Sequence, residues 1–477
     1  LSAIPTAEAL VVDLDGTLVR TDTLHEQSLV LLKRRPWVLV RAALALVTRG
    51  RAALKDVLAA AVTLEPSTLP YRDGVLAAVR AHKLAGGRTV LASAAAAPVV
   101  EGIAGYLGLF DTVIASSPRE NLKGERKLAA IRAALGATPF VYVGDSRADL
   151  DVWRGASRAV VVSSSGTLAR KARALGVPVD VVVEKRSRVR LLAKQLRLHQ
   201  WVKNALLLVP MLAAHKLSDQ TAVGAAVLAA VAFSFLASSV YVFNDMVDLE
   251  SDRRHHAKRN RPLASGALPL AWAFLTLPLL IGGAAAIAAG LPVRFAAWLG
   301  IYVVLNLAYS FRIKEVMILD VMVLTSFYGI RILAGGAATM IPVSHWLMSF
   351  GIFFFFSLAM LKRQTEIART SARGVDAVHG RGYRADDRLP IFVMGLGAAL
   401  LSILVLTLYF QSDAVVRQYA RPDRLWMLVP LLLYWHGRIW MLAWRGEMHD
   451  DPVEFAVKDR VSWLVAALFA GVLALAG

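Results

Sequence analysis

The sequence predicts a chain in two parts: a doubly wound α/β domain with a helical cap, followed by an all-α polytopic membrane domain of nine transmembrane helices. Three observations predict this. Short apolar strand-like runs alternate with helical stretches up to about residue 183, nearly every long apolar run falls after Trp201, and charged side chains thin out across the same boundary.

Composition sets the first limits. Of 477 residues, 57% are hydrophobic and the mean hydropathy is +0.53, more than a soluble globular chain carries, so much of the chain must sit in lipid. The formal charge is +19, from 54 Lys and Arg against 35 Asp and Glu. In so apolar a chain, that excess goes with positively charged cytosolic loops and anionic ligands. No basic stretch is interleaved with exposed aromatic residues, which excludes nucleic acid as a partner. The lack of cysteine excludes disulfides and thiolate-bound zinc. Residues 1–10 have neither the charged start nor the apolar core of a signal peptide, so the first domain is expected to stay in the cytoplasm.

Residues 9–14, 89–92, 112–115 and 140–143 read as buried strands separated by helices, the pattern of a parallel, Rossmann-like sheet. Such sheets bind ligands at the carboxyl ends of their strands. Residues 21–87 form a helical insertion whose run 29–47 is broken by Lys33, Arg34, Arg35 and Arg41, too charged for a span. It is expected to be a cap able to rest on a membrane surface. The first domain is placed at residues 1–183, a basic interfacial linker at 184–200, and the membrane domain at 201–477.

Nine apolar stretches follow: 201–217, 220–243, 268–290, 293–311, 316–337, 344–361, 389–410, 424–443 and 461–477. Lys and Arg concentrate after the second, fourth, sixth and eighth, which puts those loops in the cytosol beside the first domain and the C-terminus outside. The expected location is a bacterial inner membrane.

In the first domain, Asp13 and Asp15 sit in Asp13-Leu14-Asp15-Gly16-Thr17 directly after the first strand, where two carboxylates can share one hard cation. Ser93 follows the strand at 89–92, Lys123 lies in Asn121-Leu122-Lys123-Gly124, and Asp145 and Asp149 follow the strand at 140–143. Lys127, one helical turn beyond Lys123, competes for the lysine role. A lone pair of aspartates after a strand could be a mere turn. Four pieces in this order resemble the haloacid dehalogenase superfamily. The resemblance implies that Asp13 attacks a phosphoryl group and Asp15 serves as acid and base. Ser93 and Lys123 would hold phosphoryl oxygens, and Mg2+ would sit among Asp13, Asp15, Asp145 and Asp149.

In the membrane domain, Asn244, Asp245, Asp248 and Asp252 close the second apolar stretch, the three aspartates at i, i+3 and i+7 on one helical face. Carboxylates this close at a bilayer edge need a cation among them, and Mg2+ is the expected one. Lys258, Arg259 and Arg261 follow at once and can donate to phosphate oxygens. This motif, leading into Arg261-Pro262-Leu263-Ala264-Ser265-Gly266, resembles the UbiA superfamily of intramembrane prenyltransferases over about residues 196–477.

One departure carries information. Where that superfamily has a second aspartate-rich motif, this chain reads Leu361-Lys362-Arg363-Gln364-Thr365-Glu366. Together with Lys203, Asn204, Tyr309, Lys314, Asp320, Arg331, Asp451 and Asp459, this resembles the branch that moves phosphoribose onto polyprenyl phosphates. The resemblance implies transfer of 5-phosphoribose from phosphoribosyl pyrophosphate to a polyprenyl phosphate lipid. Asp245 and Asp248 would act at the donor diphosphate, with Lys258, Arg259 and Arg261 neutralising it. Lys203, Asn204, Tyr309, Lys314, Arg331, Lys362, Arg363 and Glu366 would bind substrate. The phosphatase-like domain would then remove the 5-phosphate to give a polyprenyl-phosphoryl ribose for cell-envelope glycans. Two alternatives remain open at this point: prenyl transfer from a diphosphate to an aromatic acceptor, and a lipid-binding or transport protein with a regulatory head.

Overall fold

The computed structural model describes residues 4–118, 120–163, 166–182, 187–256, 258–371, 381–448 and 451–477. Residues 184–186 of the expected linker and residue 257 of the basic run lie outside them. The chain forms two compact units: residues Leu1–Leu196 with Tyr241–Pro278, and residues Arg197–Val240 with Leu279–Gly477.

The first unit is built on six parallel strands, β1 (Ala9–Val12), β2 (Thr89–Ala96), β3 (Thr112–Ser116), β4 (Phe140–Gly144), β5 (Arg158–Val162) and β6 (Val179–Val182). Their order is β3-β2-β1-β4-β5-β6. Every strand residue of β1 is buried, because helices cover both faces: Leu10 and Val12 join one apolar cluster, Ala9 and Val11 the other. The strand order reverses at β1, between β2 and β4, which opens a crevice at the carboxyl ends of these three strands. Sequence reading missed β5 and β6. Both are short valine-rich runs, whose apolar content alone does not separate strand from buried helix.

The expected helical cap is three helices, α1 (Thr23–Arg34), α2 (Pro36–Arg49) and α3 (Arg51–Ala61). Asp22 caps α1 by accepting from the backbone N–H groups of Leu24 and His25. Pro36 opens α2, and Gly50, at φ 84°, lets the chain reverse into α3. Leu31, Val38, Ala42 and Leu58 close the cap's own core, whereas Trp37, Val40, Leu44 and Val47 of α2 stay exposed. Leu29 of α1 packs with Val242, Met246, Leu249, Leu263 and Leu270, and a buried ion pair joins Glu26 to Arg253 at 2.7 Å. The cap is therefore seated on the Tyr241–Pro278 segment.

Seven helices among the described residues are long and apolar enough to cross a membrane: Gln220–Val247, Leu270–Ala289, Val293–Phe311, Leu319–Thr339, His345–Ser371, Ala385–Phe410 and Pro422–Trp444. An eighth is reached if Pro452–Lys458 and Arg460–Ala476, bent by 84°, count as one span. The expected first stretch, 201–217, differs from a regular span. It forms a 3₁₀ run, Leu198–Leu208, and a five-residue helix, Val209–Ala213, with Pro210 in its first turn.

Candidate active sites

The phosphatase-like residues converge. Asp13 and Asp15 leave β1, Ser93 lies within β2, and Asp145 and Asp149 follow β4, so all open into a cavity of about 620 Å³ at the switch point. Gly16, at φ 76°, allows the turn that follows the two aspartates. A Cβ there would lie 2.1 Å from the Asp145 carboxylate. Thr23 N–H donates to Asp15 Oδ1 at 2.8 Å, and Ser93 Oγ, buried, accepts from Ala95 N–H at 3.0 Å.

The lysine in contact with Asp13 is Lys127. Its Nζ lies 2.8 Å from Asp13 Oδ1, 3.0 Å from Tyr142 Oη and 3.8 Å from Asp149, fully within the core. Lys123 is exposed at the pocket rim. Tyr142, which sequence reading did not single out, donates to Asp149 Oδ1 at 2.8 Å, while Ser146 Oγ donates to its other oxygen at 2.8 Å. Asp149 thus takes its hydrogen bonds from neutral donors, with the Lys127 ammonium close by.

Burial pushes the Asp13 carboxyl up to about 6, against the pull of Lys127. It pushes Asp15 up to about 7, with the charge of Asp22 adding to the shift. Asp145 is raised well above the usual carboxylate range by burial and by Asp13 and Asp149. A cation would relieve this crowding. Asp13, Asp145 and Asp149 form a group whose ligand atoms lie within 4.8 Å of one another, and a set of carboxylate oxygens suits a hard divalent ion such as Mg2+.

The aspartate-rich segment is arranged differently. The long helix ends at Val247, Asp248 leaves helical geometry at φ −91° and ψ 9°, and a six-residue helix, Leu249–Arg254, follows. The i→i−4 bonding persists through the break, with Asp252 N–H donating to Asp248 O at 2.8 Å, so Asp245 and Asp252 keep a common side. One guanidinium nitrogen, Arg261 Nη1, meets both, at 2.9 Å from Asp245 and 2.6 Å from Asp252. Lys258 lies 3.9 Å from Asp252 and is exposed, as is Arg259. Asn244 and Asp248 are half-buried. Gln195, which sequence reading passed over, donates to Asp245 Oδ2 at 2.9 Å. The oxygen donors suit Mg2+, and the charge between Asp245 and Asp252 is that of Arg261.

In the second unit, Arg331 is buried in the bundle. Its Nε donates to Asn204 Oδ1 at 2.8 Å, its Nη1 to Phe327 O at 2.6 Å, and its plane covers the rings of Phe233 and Tyr302. Asp451 takes Lys203 and Lys362 on its two oxygens, each at 3.1 Å. Arg363 is buried, 2.7 Å from Asp320, in contact with Glu366 and 3.1 Å from Tyr309 Oη. Tyr309 Oη also accepts from Arg381 at 2.6 Å, and Tyr383 donates to Asp320 at 2.6 Å. Lys314 is half-buried in the turn Ile313–Glu315. Arg381 and Tyr383 escaped sequence reading because polar residues between apolar stretches give no periodic signal.

Comparison with known proteins matches these parts. A model of the UbiA prenyltransferase family covers residues 205–458, and one of the haloacid dehalogenase-like hydrolases covers 10–154. The uncharacterized protein y4nM of Sinorhizobium fredii is 37% identical over 98% of this chain and 90% of its own length. The nodulation protein NoeC of Azorhizobium caulinodans is 34% identical over 55% of this chain and 85% of its own. A decaprenyl-phosphate phosphoribosyltransferase of Mycolicibacterium smegmatis is 31% identical over 59% of this chain and 91% of its own. A solved UbiA homolog of Archaeoglobus fulgidus bound to GPP and Mg2+ is 16% identical, with a TM-score of 0.45 over 60% of this chain and 99% of that one.

Proposed function

Because the chain belongs to the UbiA prenyltransferase family and carries a haloacid dehalogenase-like hydrolase segment, we propose that it is a bifunctional enzyme acting on a polyprenyl phosphate lipid. The transferase moves 5-phosphoribose from phosphoribosyl pyrophosphate to the lipid phosphate. The hydrolase then removes the 5-phosphate, leaving polyprenyl-phosphoryl ribose. The observation that carries this reading is cationic: the helix end expected to hold a second aspartate motif presents Lys362, which shares Asp451 with Lys203. Two ammonium groups on one carboxylate leave net positive charge for a phosphate. Relatives named decaprenyl-phosphate phosphoribosyltransferase support the same substrates.

In the transfer, an oxygen of the lipid phosphate attacks the anomeric carbon of the donor, the bond from that carbon to the diphosphate breaks, and pyrophosphate leaves. The nucleophile is already ionised and needs no strong base. Arg261 and Lys258 donate to the leaving diphosphate, while Lys203 and Lys362 orient the phosphates of donor and lipid. Mg2+ bound by Asn244, Asp245, Asp248 and Asp252 would supply further charge neutralisation.

In the hydrolysis, Asp13 attacks the 5-phosphate, Asp15 protonates the departing ribose oxygen and then activates the water that releases phosphate, and Ser93 and Lys127 hold the phosphoryl oxygens. Asp145 and Asp149 complete the set that would hold Mg2+.

The domain boundaries read from sequence belong to this proposal, as do the inner-membrane location, the cytoplasmic first domain and the external C-terminus. So do nine crossings. Laid end to end, a 3₁₀ run of 11 residues and five α-helical residues would rise about 30 Å, the thickness of the hydrocarbon core. The transferase reading is tested by release of pyrophosphate from phosphoribosyl pyrophosphate. Release should require added polyprenyl phosphate and vanish in Asp245→Ala. Release with a prenyl diphosphate and an aromatic acceptor instead would replace it with prenyl transfer.

A further inference from the structure

The hydrolase cavity is lined by as many basic side chains as carboxylates, but among the described residues three of the basic ones have no carboxylate in contact. Lys127, paired with Asp13, serves the phosphoryl group cleaved there. Lys55, reaching in from α3, donates to Ala94 O at 2.5 Å and to Asn121 Oδ1 at 2.9 Å, both neutral acceptors. Arg51, one turn earlier on the same helix, lines the same cavity, and Lys123 lies at its rim. Among the described residues, no carboxylate comes within ion-pair distance of Lys55, Arg51 or Lys123. An ammonium partly withdrawn from water, hydrogen-bonded only to neutral oxygens and with Asp15 and Asp22 acting on it from beyond contact, can turn to a ligand anion.

The cavity wall has a third chemistry. Leu46 and Leu54 of the cap line it, as do Pro269, Leu270 and Ala271 at the start of the apolar helix Leu270–Ala289. The His25 ring, also in the lining, packs against Phe274 one turn further along that helix, at 5.7 Å. A soluble monophosphate would use neither the extra cations nor this wall.

We propose that the cavity binds its substrate through two anionic groups. One is the phosphate ester cleaved at Asp13; the other is a second phosphoryl linkage of the same molecule, held by Lys55 and Arg51. The apolar units beyond that linkage rest against Leu270 and Ala271. This depends on the hydrolase reading above and narrows its substrate class to sugar phosphates carrying a second, lipid-linked phosphate.

The test uses the full chain in detergent with Mg2+ and four substrates: p-nitrophenyl phosphate, ribose 5-phosphate, ribose 1,5-bisphosphate, and a short-chain prenyl-phosphoryl ribose 5-phosphate. The expected kcat/KM is about tenfold or more higher for the two doubly anionic sugars than for ribose 5-phosphate. It should be highest for the prenylated one, which separates a lipid-linked phosphate from a free one. Lys55→Gln and Arg51→Gln should each shrink that preference, mainly through KM. Equal kcat/KM for all three ribose substrates would overturn the second subsite and leave the hydrolase standing. Hydrolysis of none of the four would overturn the hydrolase reading and this inference with it. A Lys55 that merely latches the cap would lower all substrates alike, and that outcome also overturns the proposal. Should Lys55→Gln loosen the cap, the exposed Arg51 still reports the preference.

Discussion

Lys127 Nζ donates to Asp13 Oδ1 across 2.8 Å, with both side chains buried and Tyr142 Oη beside the ammonium at 3.0 Å. The carboxylate proposed as nucleophile therefore has its counter-charge in place before substrate arrives. Lys127→Ala should lower hydrolysis of p-nitrophenyl phosphate about 100-fold or more, as for loss of other preorganised charge-stabilising donors. Lys123→Ala should cost far less. A larger loss of steady-state rate in Lys123→Ala than in Lys127→Ala would return the role to Lys123.

Gly16 has room for hydrogen alone. A methyl group would collide with Asp145 at 2.1 Å and would meet a backbone at φ 76°, which costs a residue with a Cβ about 1 kcal/mol or more. Gly16→Ala should displace Asp145, reduce hydrolysis and raise the Mg2+ concentration needed for half-maximal rate. An unchanged metal requirement would contradict the close approach.

The Glu26–Arg253 pair is two-pronged, with Arg253 Nη2 at 2.7 Å and Nη1 at 3.1 Å from the two carboxylate oxygens, and Thr21 Oγ1 adds a bond of 2.6 Å to Glu26. Removing one partner leaves an uncompensated buried charge at a cost of about 3–5 kcal/mol. Glu26→Ala should lower the melting temperature in detergent substantially, and Glu26→Gln with Arg253→Met should recover part of the loss. Single and double variants melting alike would show the pair to be idle.

Lys362 and Arg363 are neighbours in sequence with different surroundings. The Lys362 side chain is 32% exposed, whereas that of Arg363 is 1% exposed and fixed by Asp320 and Glu366. Sequence reading expected both to bind substrate. Only Lys362 has the exposure for that; Arg363 is held inside the bundle instead. Lys362→Ala should raise the apparent KM for phosphoribosyl pyrophosphate with little change in melting, and Arg363→Ala should lower the yield of folded protein. The opposite pattern would reverse these assignments.

The sequence made the phosphatase aspartates legible because each follows a strand, and strand ends in a doubly wound sheet meet at one crevice. The choice between Lys123 and Lys127 was not legible. It depends on where the helix Glu125–Leu135 begins, and helix starts are poorly fixed by pattern alone. Asp245 and Asp252 were placed on one side by spacing. That Arg261 sits between them required the return of the chain from Leu249–Arg254, which no periodicity encodes. The cap was expected from its helical character, but its seating on Met246 and Leu270 is a long-range contact. The first apolar stretch was expected to be a regular span, and its 3₁₀ geometry is set by packing that composition does not reveal.

The central claim is that one chain both forms and dephosphorylates the same lipid, and the mass of that lipid tests it most directly. Wild-type protein and Asp13→Asn are each supplied with polyprenyl phosphate, phosphoribosyl pyrophosphate and Mg2+, and the extracted lipids are weighed by mass spectrometry. The carboxamide of this variant can hold the loop but cannot form the aspartyl phosphate. The wild type should yield polyprenyl-phosphoryl ribose, and the variant should accumulate the same lipid with one phosphate more. If both gave the phosphorylated lipid in equal amounts, the hydrolase would act on something other than the transferase product.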